Sequence, residues 1–178
     1  MSEHHCKEHE IASLPIRNYF LAANFCRIKL KPPFSTIDLK KFCLEQDIEE
    51  SAISITLPFT NIVIICIYRS PTGNFTQFIK SLDKTLNHLT KPNTEFIICG
   101  DFNIDFSHEK SLRRLELDTL LATYNLISTI NYPTRCTYRS NTTIDNIFID
   151  FIHKDAYSTY PIINGLSDHD GQLIKFHN

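Results

Sequence analysis

The sequence predicts one α/β unit, and three observations carry that prediction. Residues 61–68 form a β-branched apolar run and residues 96–99 a second apolar run, which suits strands buried on both faces of a sheet. Between them Phe75, Phe78, Ile79, Leu82, Leu86 and Leu89 recur at helical spacing behind Asn74, a residue suited to an N-cap. Residues 110–124 then predict a second helix, with Leu112, Leu115, Leu120, Leu121 and Tyr124 as one core-facing stripe. A length of 178 residues fits one domain. No repeat, low-complexity tract or linker divides it, so residues 1–178 are read as a single unit.

The other elements follow in order. Residues 8–14 suit a helical turn closed by Pro15, and residues 19–26 read as extended. Residues 27–34 carry Pro32 and Pro33 and read as a loop, because paired prolines serve neither a helix interior nor a central strand. Residues 52–57 alternate apolar and polar side chains up to Pro58. They pair with residues 61–68 as a hairpin about Pro58-Phe59-Thr60-Asn61. Pro71-Thr72-Gly73-Asn74 breaks the second strand. Residues 132–135 read as a loop, residues 143–149 as a strand, and residues 172–177 as a closing strand.

Composition narrows the function classes. A formal charge of −2 neither requires nor forbids a nucleic-acid partner, which would need local basic groups. Residues 62–68 are the longest apolar stretch, far short of the roughly 20 residues of a membrane span. The polar start, Ser2-Glu3-His4-His5-Cys6-Lys7, is unlike a signal peptide. Six cysteines are scattered without a C-x-x-C pair. Cys66 and Cys99 lie inside apolar runs, which points to buried, reduced thiols in an intracellular protein.

Chemistry-bearing residues fall at the strand ends. Asp101 and Asn103 follow the central run through Gly100, and an extended chain there would point both side chains the same way. The ends of sheet strands are where open α/β proteins place ligand sites. The same Gly-Asp-Phe-Asn composition also makes an ordinary turn. Tyr68 and Arg69 end the 61–68 strand, Asp145 and Asn146 open the 143–149 region, and Ser167-Asp168-His169-Asp170 precedes the last strand. Taken singly, Tyr68 reads as a strand aromatic, Asp145 as a cap and the tetrad as a solvated turn.

Together, Gly100-Asp101-Phe102-Asn103, Ile144-Asp145-Asn146-Ile147-Phe148 and Ser167-Asp168-His169-Asp170 resemble, in order and spacing, the endonuclease/exonuclease/phosphatase family. The chain looks most like the endonuclease domain of non-LTR, LINE- or jockey-type retrotransposons. Ser2-Glu3-His4-His5, Tyr68-Arg69-Ser70-Pro71-Thr72-Gly73 and Tyr132-Pro133-Thr134-Arg135 support the narrower match. The resemblance implies a two-sheet β-sandwich flanked by helices and a Mg²⁺-dependent (or Mn²⁺-dependent) phosphodiester hydrolase that nicks DNA. It also implies action in the nucleus and a reverse transcriptase in the parent polyprotein. Carried onto these residues, Glu3 would be the metal ligand, with Asp168 beside the metal. Asp101 would orient or deprotonate the attacking water, and Asn103 would hold it or the phosphate. Tyr68 would bond the scissile phosphate, and Asp145 would pair with His169, which would donate to a phosphate oxygen. Each role suits an anionic substrate, which needs its charge neutralised before a nucleophile can approach.

The pattern departs from the family in two places. Family members begin with an additional strand carrying an Asn near the metal, which is expected to be missing before Met1. A Gly-Gly-Val strand is replaced by the basic, proline-bearing residues 27–34. An N-terminally truncated domain is therefore expected: an active nuclease, or else an inactive or weak remnant or a nucleic-acid-binding module. Arg69, Arg135 and Arg139 would meet backbone phosphates in either case, or serve as ordinary surface charges. A phosphatase or sphingomyelinase is the alternative within the family. His5-Cys6-Lys7-Glu8-His9 fits a zinc-protease pattern, but chance in a His- and Glu-rich stretch explains it better.

Overall fold

The computed structural model describes residues 34–163, 165 and 167–177. Glu3, the His5–His9 pattern and the elements expected over residues 8–26 lie outside the described residues. Strands β1 (Phe34–Ile37), β2 (Glu49–Thr56), β3 (Asn61–Tyr68), β4 (Thr94–Asp101), β8 (Asp145–Asp150) and β5 (Leu126–Ser128) form a six-stranded sheet in the order β1-β2-β3-β4-β8-β5. Strands β6 (Arg135–Cys136) and β7 (Asn141–Thr142) make a short hairpin, and β9 (Tyr157–Ile162) and β10 (Gly171–Phe176) a longer antiparallel pair. Helix α1 (Phe75–Leu89) joins β3 to β4, and helix α2 (Leu112–Thr123) precedes β5.

The expected hairpin forms, with Thr56 opposite Asn61 and the Leu57 N–H donating to the Thr60 carbonyl at 2.9 Å. Helix α1 holds the predicted bounds. The Asn74 side chain caps it by accepting from the Gln77 N–H at 3.1 Å, and Phe78, Leu82 and Leu86 are fully buried. Because β3 and β4 run parallel, their connection needs a crossover, and α1 supplies it.

The two faces of the sheet have different covers. On one, Val63, Ile65, Ile67, Phe96, Ile98 and Phe148 join the apolar sides of both helices in a single core. On the other, Ile147 and Ile149 meet Ile130, with Tyr157 of β9 and Ile174 of β10 packed over them. The period-2 alternation of strand side chains explains the division. The result is a mixed α/β fold, as expected, in which the described helices cover one face of the main sheet and the β9–β10 pair the other.

Several expectations need correcting. Of the expected stripe, Leu121 is buried and Leu120 and Tyr124 are partly buried against the core, but Leu112 and Leu115 are exposed and Leu117 faces the core in their place. Leucines stand on more than one side of α2, and tertiary packing selected the row four residues apart. Phe34 opens β1 instead of ending a loop, and Arg135 belongs to β6. The strand expected from residue 143 begins at Asp145, because the Thr143 N–H turns to Asp105 and the Ile144 N–H to Thr134. Cys66 is exposed, not buried.

Candidate active site

Register brings the site together. Tyr68 is paired with Asp101 across the parallel β3–β4 ladder, and Asp101 with Asp145 across the antiparallel β4–β8 ladder. These three residues therefore form one row across the end of the sheet. They share parity with Cys66, Cys99 and Ile147 in their strands, so their side chains leave the face opposite the helices.

Gly100 makes this end of β4 possible. Its φ is +144°, and a Cβ there would lie 1.8 Å from the Ile67 carbonyl oxygen. Here the close approach that excludes a side chain is the neighbouring strand's backbone rather than a ligand's. Beyond it the chain is not extended. Asn103 takes φ +48° and its N–H donates to Asp101 Oδ1 at 2.8 Å. This Asx turn keeps Asp101 and Asn103 from pointing the same way, as an extended chain would have placed them. The Asn103 carboxamide instead donates through Nδ2 to the Arg69 carbonyl at 2.7 Å.

His169 reaches the row from a loop. The Cys136 N–H donates to the Asp168 carbonyl at 2.9 Å and the Asp170 N–H to the Thr134 carbonyl at 2.8 Å. An isolated antiparallel bridge joins Arg135 to His169. Docked in this way along β6, the loop sets His169 Nδ1 at 3.0 Å from Asp145 Oδ2 and 3.3 Å from Oδ1. Asp145 is itself fixed through Thr134, whose fully buried hydroxyl oxygen accepts the Ile144 and Asp145 N–H groups at 3.1 and 3.0 Å. Thr134 is a positioning residue that sequence reasoning left inside a loop motif. Tyr132-Pro133-Thr134-Arg135 was the signal for it.

Asp101, Asp145 and His169 each offer a ligand atom, all within 4.8 Å of one another. Burial raises the Asp101 pKa above the ordinary carboxylate value, and Asp145 adds to the rise; the Asn103 N–H, His169 and Arg135 oppose it. Like charges facing across a strand pair need a cation or a proton between them. Carboxylate oxygens suit a hard divalent cation; with Asp145 bonded to His169, Asp101 is the member of the group that fits the metal that the resemblance implies.

The arginines behave differently from expectation. Arg69 is fully buried: Nε donates to the Phe102 carbonyl at 2.7 Å, Nη2 to the Asn103 carbonyl at 3.0 Å and Nη1 to the Gly73 carbonyl at 3.5 Å. It clamps the loop after β4 and is neither a phosphate contact nor a surface charge. Arg135 Nε lies 2.6 Å from Asp168 Oδ2, with both side chains partly exposed. That pairing holds the Asp168 carboxyl below its usual value and leaves Asp168 outside the Asp101–Asp145–His169 group. Arg139 lies in the β6–β7 turn with its guanidinium 4.8 Å from the ring of the exposed Tyr138.

Solved structures share this fold. The endonuclease domain of TRAS1, a telomere-specific non-LTR retrotransposon, superposes with a TM-score of 0.65 at 16% identity, over 81% of this chain and 67% of that one. The 3′ phosphatase NExo from Neisseria, bound to a product DNA hairpin, gives 0.51 at 15% identity, over 70% of this chain and 64% of that one. An endonuclease/exonuclease/phosphatase family protein from Leptotrichia buccalis gives 0.51 at 19% identity, over 72% and 54%. The chain thus spans between about half and two thirds of these structures' own lengths. No curated protein matches the sequence. The sequence pattern described as endonuclease-reverse transcriptase matches residues 62–172. That span covers more than half of the chain and runs from β3 through the His169 loop. The protein belongs to the endonuclease-reverse transcriptase family and has the endonuclease/exonuclease/phosphatase fold.

Proposed function

We propose that this chain hydrolyses a phosphodiester bond in DNA with the help of Mg²⁺ or Mn²⁺, opening a nick of the kind that primes reverse transcription. The observation that carries the reading is the row Tyr68–Asp101–Asp145 with His169 held on Asp145. A phenol and two carboxylates end neighbouring strands there, and an imidazole docks on one of them from a loop, as a phosphate requires. The DNA substrate is taken from the family match and the TRAS1 likeness.

Each residue has a derivable task. Asp101 Oδ1 is occupied by the Asn103 N–H, which leaves Oδ2 to orient a water molecule and take its proton. Asp145 accepts from His169 Nδ1 and so fixes the ring, leaving Nε2 for a phosphate oxygen on which charge develops. Tyr68, one strand away from Asp101, gives its hydroxyl to a second phosphate oxygen. Asn103 and Arg69 keep the loop after β4 in place. Both Asp145 oxygens lie within 3.3 Å of His169, so Asp101 is the carboxylate left to face a cation, and Glu3 would be its further ligand. When bound, a divalent cation neutralises phosphate charge and eases formation of the nucleophile.

The test is conversion of supercoiled plasmid to open circles by the full chain with Mg²⁺. Asp101→Asn and His169→Ala should each slow nicking by about 10²–10³, and EDTA should stop it. A folded wild-type protein that leaves the plasmid intact, or variants that nick as fast as wild type, would overturn the proposal.

A further inference from the structure

In the same two strands, two residues before Tyr68 and Asp101, lies a pair of thiols that hydrolysis does not use. Cys66 and Cys99 are register partners in the parallel β3–β4 ladder, and their Sγ atoms are 3.6 Å apart. Both are free, and Cys66 is exposed on the face opposite the helices. Adjacent strands run about 4.8 Å apart, within the Cα separation of roughly 4.4–6.8 Å that a disulfide spans. Closing the bond brings the sulfurs together by only about 1.5 Å. Cys66, the exposed member of the pair, is the sulfur that an oxidant in solution reaches first, and its thiolate is the reactive form. Cys43 is differently placed, since its sulfur accepts the Glu50 N–H at 3.3 Å.

We propose that Cys66 and Cys99 form a hydroperoxide-sensitive dithiol that closes to a disulfide between β3 and β4. The Cys66 thiolate attacks one peroxide oxygen and the O–O bond breaks. This gives Cys66 sulfenic acid, and the departing oxygen takes a proton to leave as water or an alcohol. Cys99 then attacks the Cys66 sulfur, the S–O bond breaks, and hydroxide leaves as water with the Cys99 proton. The two thiols lose two electrons and two protons, and the peroxide is reduced. The new bond ties the strands just below the row that carries Tyr68 and Asp101.

Peptide mapping tests this without reference to nuclease activity. The full chain is treated with hydrogen peroxide, blocked with N-ethylmaleimide, and digested unreduced with trypsin and a Glu-specific protease, which separates Cys43 from Cys66 at Glu49 and Glu50. The expected product is the Cys66 peptide joined to the Cys99 peptide with loss of two hydrogens, released by dithiothreitol. In Cys99→Ser, Cys66 should stop at the sulfenic acid, trapped by dimedone, or proceed to the sulfinic acid. N-ethylmaleimide on both Cys66 and Cys99 after treatment, or Cys66 joined mainly to another cysteine, would overturn the proposal.

Discussion

Asp145 and Glu50 show how position decides what a carboxylate does. Asp145 stands at a strand end, where His169 and two N–H groups organised by Thr134 fix it. Glu50 lies on β2, and its Oε2 accepts the Thr85 hydroxyl of α1 at 2.6 Å, while Oε1 is buried without a partner among the described residues. Burial pushes Glu50 up to about 7 from 4.5, with the Thr85 hydrogen bond opposing the rise. The folded state therefore binds more protons than the unfolded state between those values. Glu50's contribution is complete below pH 4.5, is lost as pH rises to about 7, and is level above it. Urea midpoints should fall across that window in wild type and fall less in Glu50→Gln; equal slopes would contradict this. At this scale the sequence showed which residue types end the strands, and the resemblance supplied the Asp145–His169 pair. The tasks of Asn103 and Arg69 were hidden, because both depend on a left-handed turn that brings distant carbonyls within reach.

Elements with strong apolar periodicity were legible. Strands β3 and β4 and helix α1 follow from residues whose burial allows one arrangement. Helix α2 was legible as a helix but not in its facing. Leu121→Ala should cost about 2–5 kcal/mol, as for a fully buried leucine, whereas Leu112→Ala, on an 82% exposed residue, should stay within about 0.5 kcal/mol. Thermal or urea unfolding measures both, and equal losses would restore the stripe read from sequence. Strand β9 is not apparent in the sequence because it is half polar and contains Pro161, opposite Gln172 in a pair that has two strands among the described residues. Proline is tolerated at such an edge and rejected in a central strand. Strands β6 and β7 span two residues each, too few for any period, yet they dock the loop that delivers His169.

Across the whole molecule, residues distant along the chain meet because two ladders, β3–β4 and β4–β8, agree in register. Tyr68, Asp101 and Asp145 need β3, β4 and β8 in one alignment, and a slip of one residue would turn each to the helix-covered face. The order of the motifs was legible in the sequence; their convergence required the crossover through α1 and the β6 bridge to His169. The central claim is that Asp145 acts through His169 within one phosphate-binding row. A double-mutant cycle on plasmid nicking, with wild type, Asp145→Asn, His169→Ala and the double variant, tests it directly. The account predicts that the double variant nicks no more slowly than His169→Ala alone. A double variant slowed by the product of the two single effects would show that the residues work independently and would contradict it.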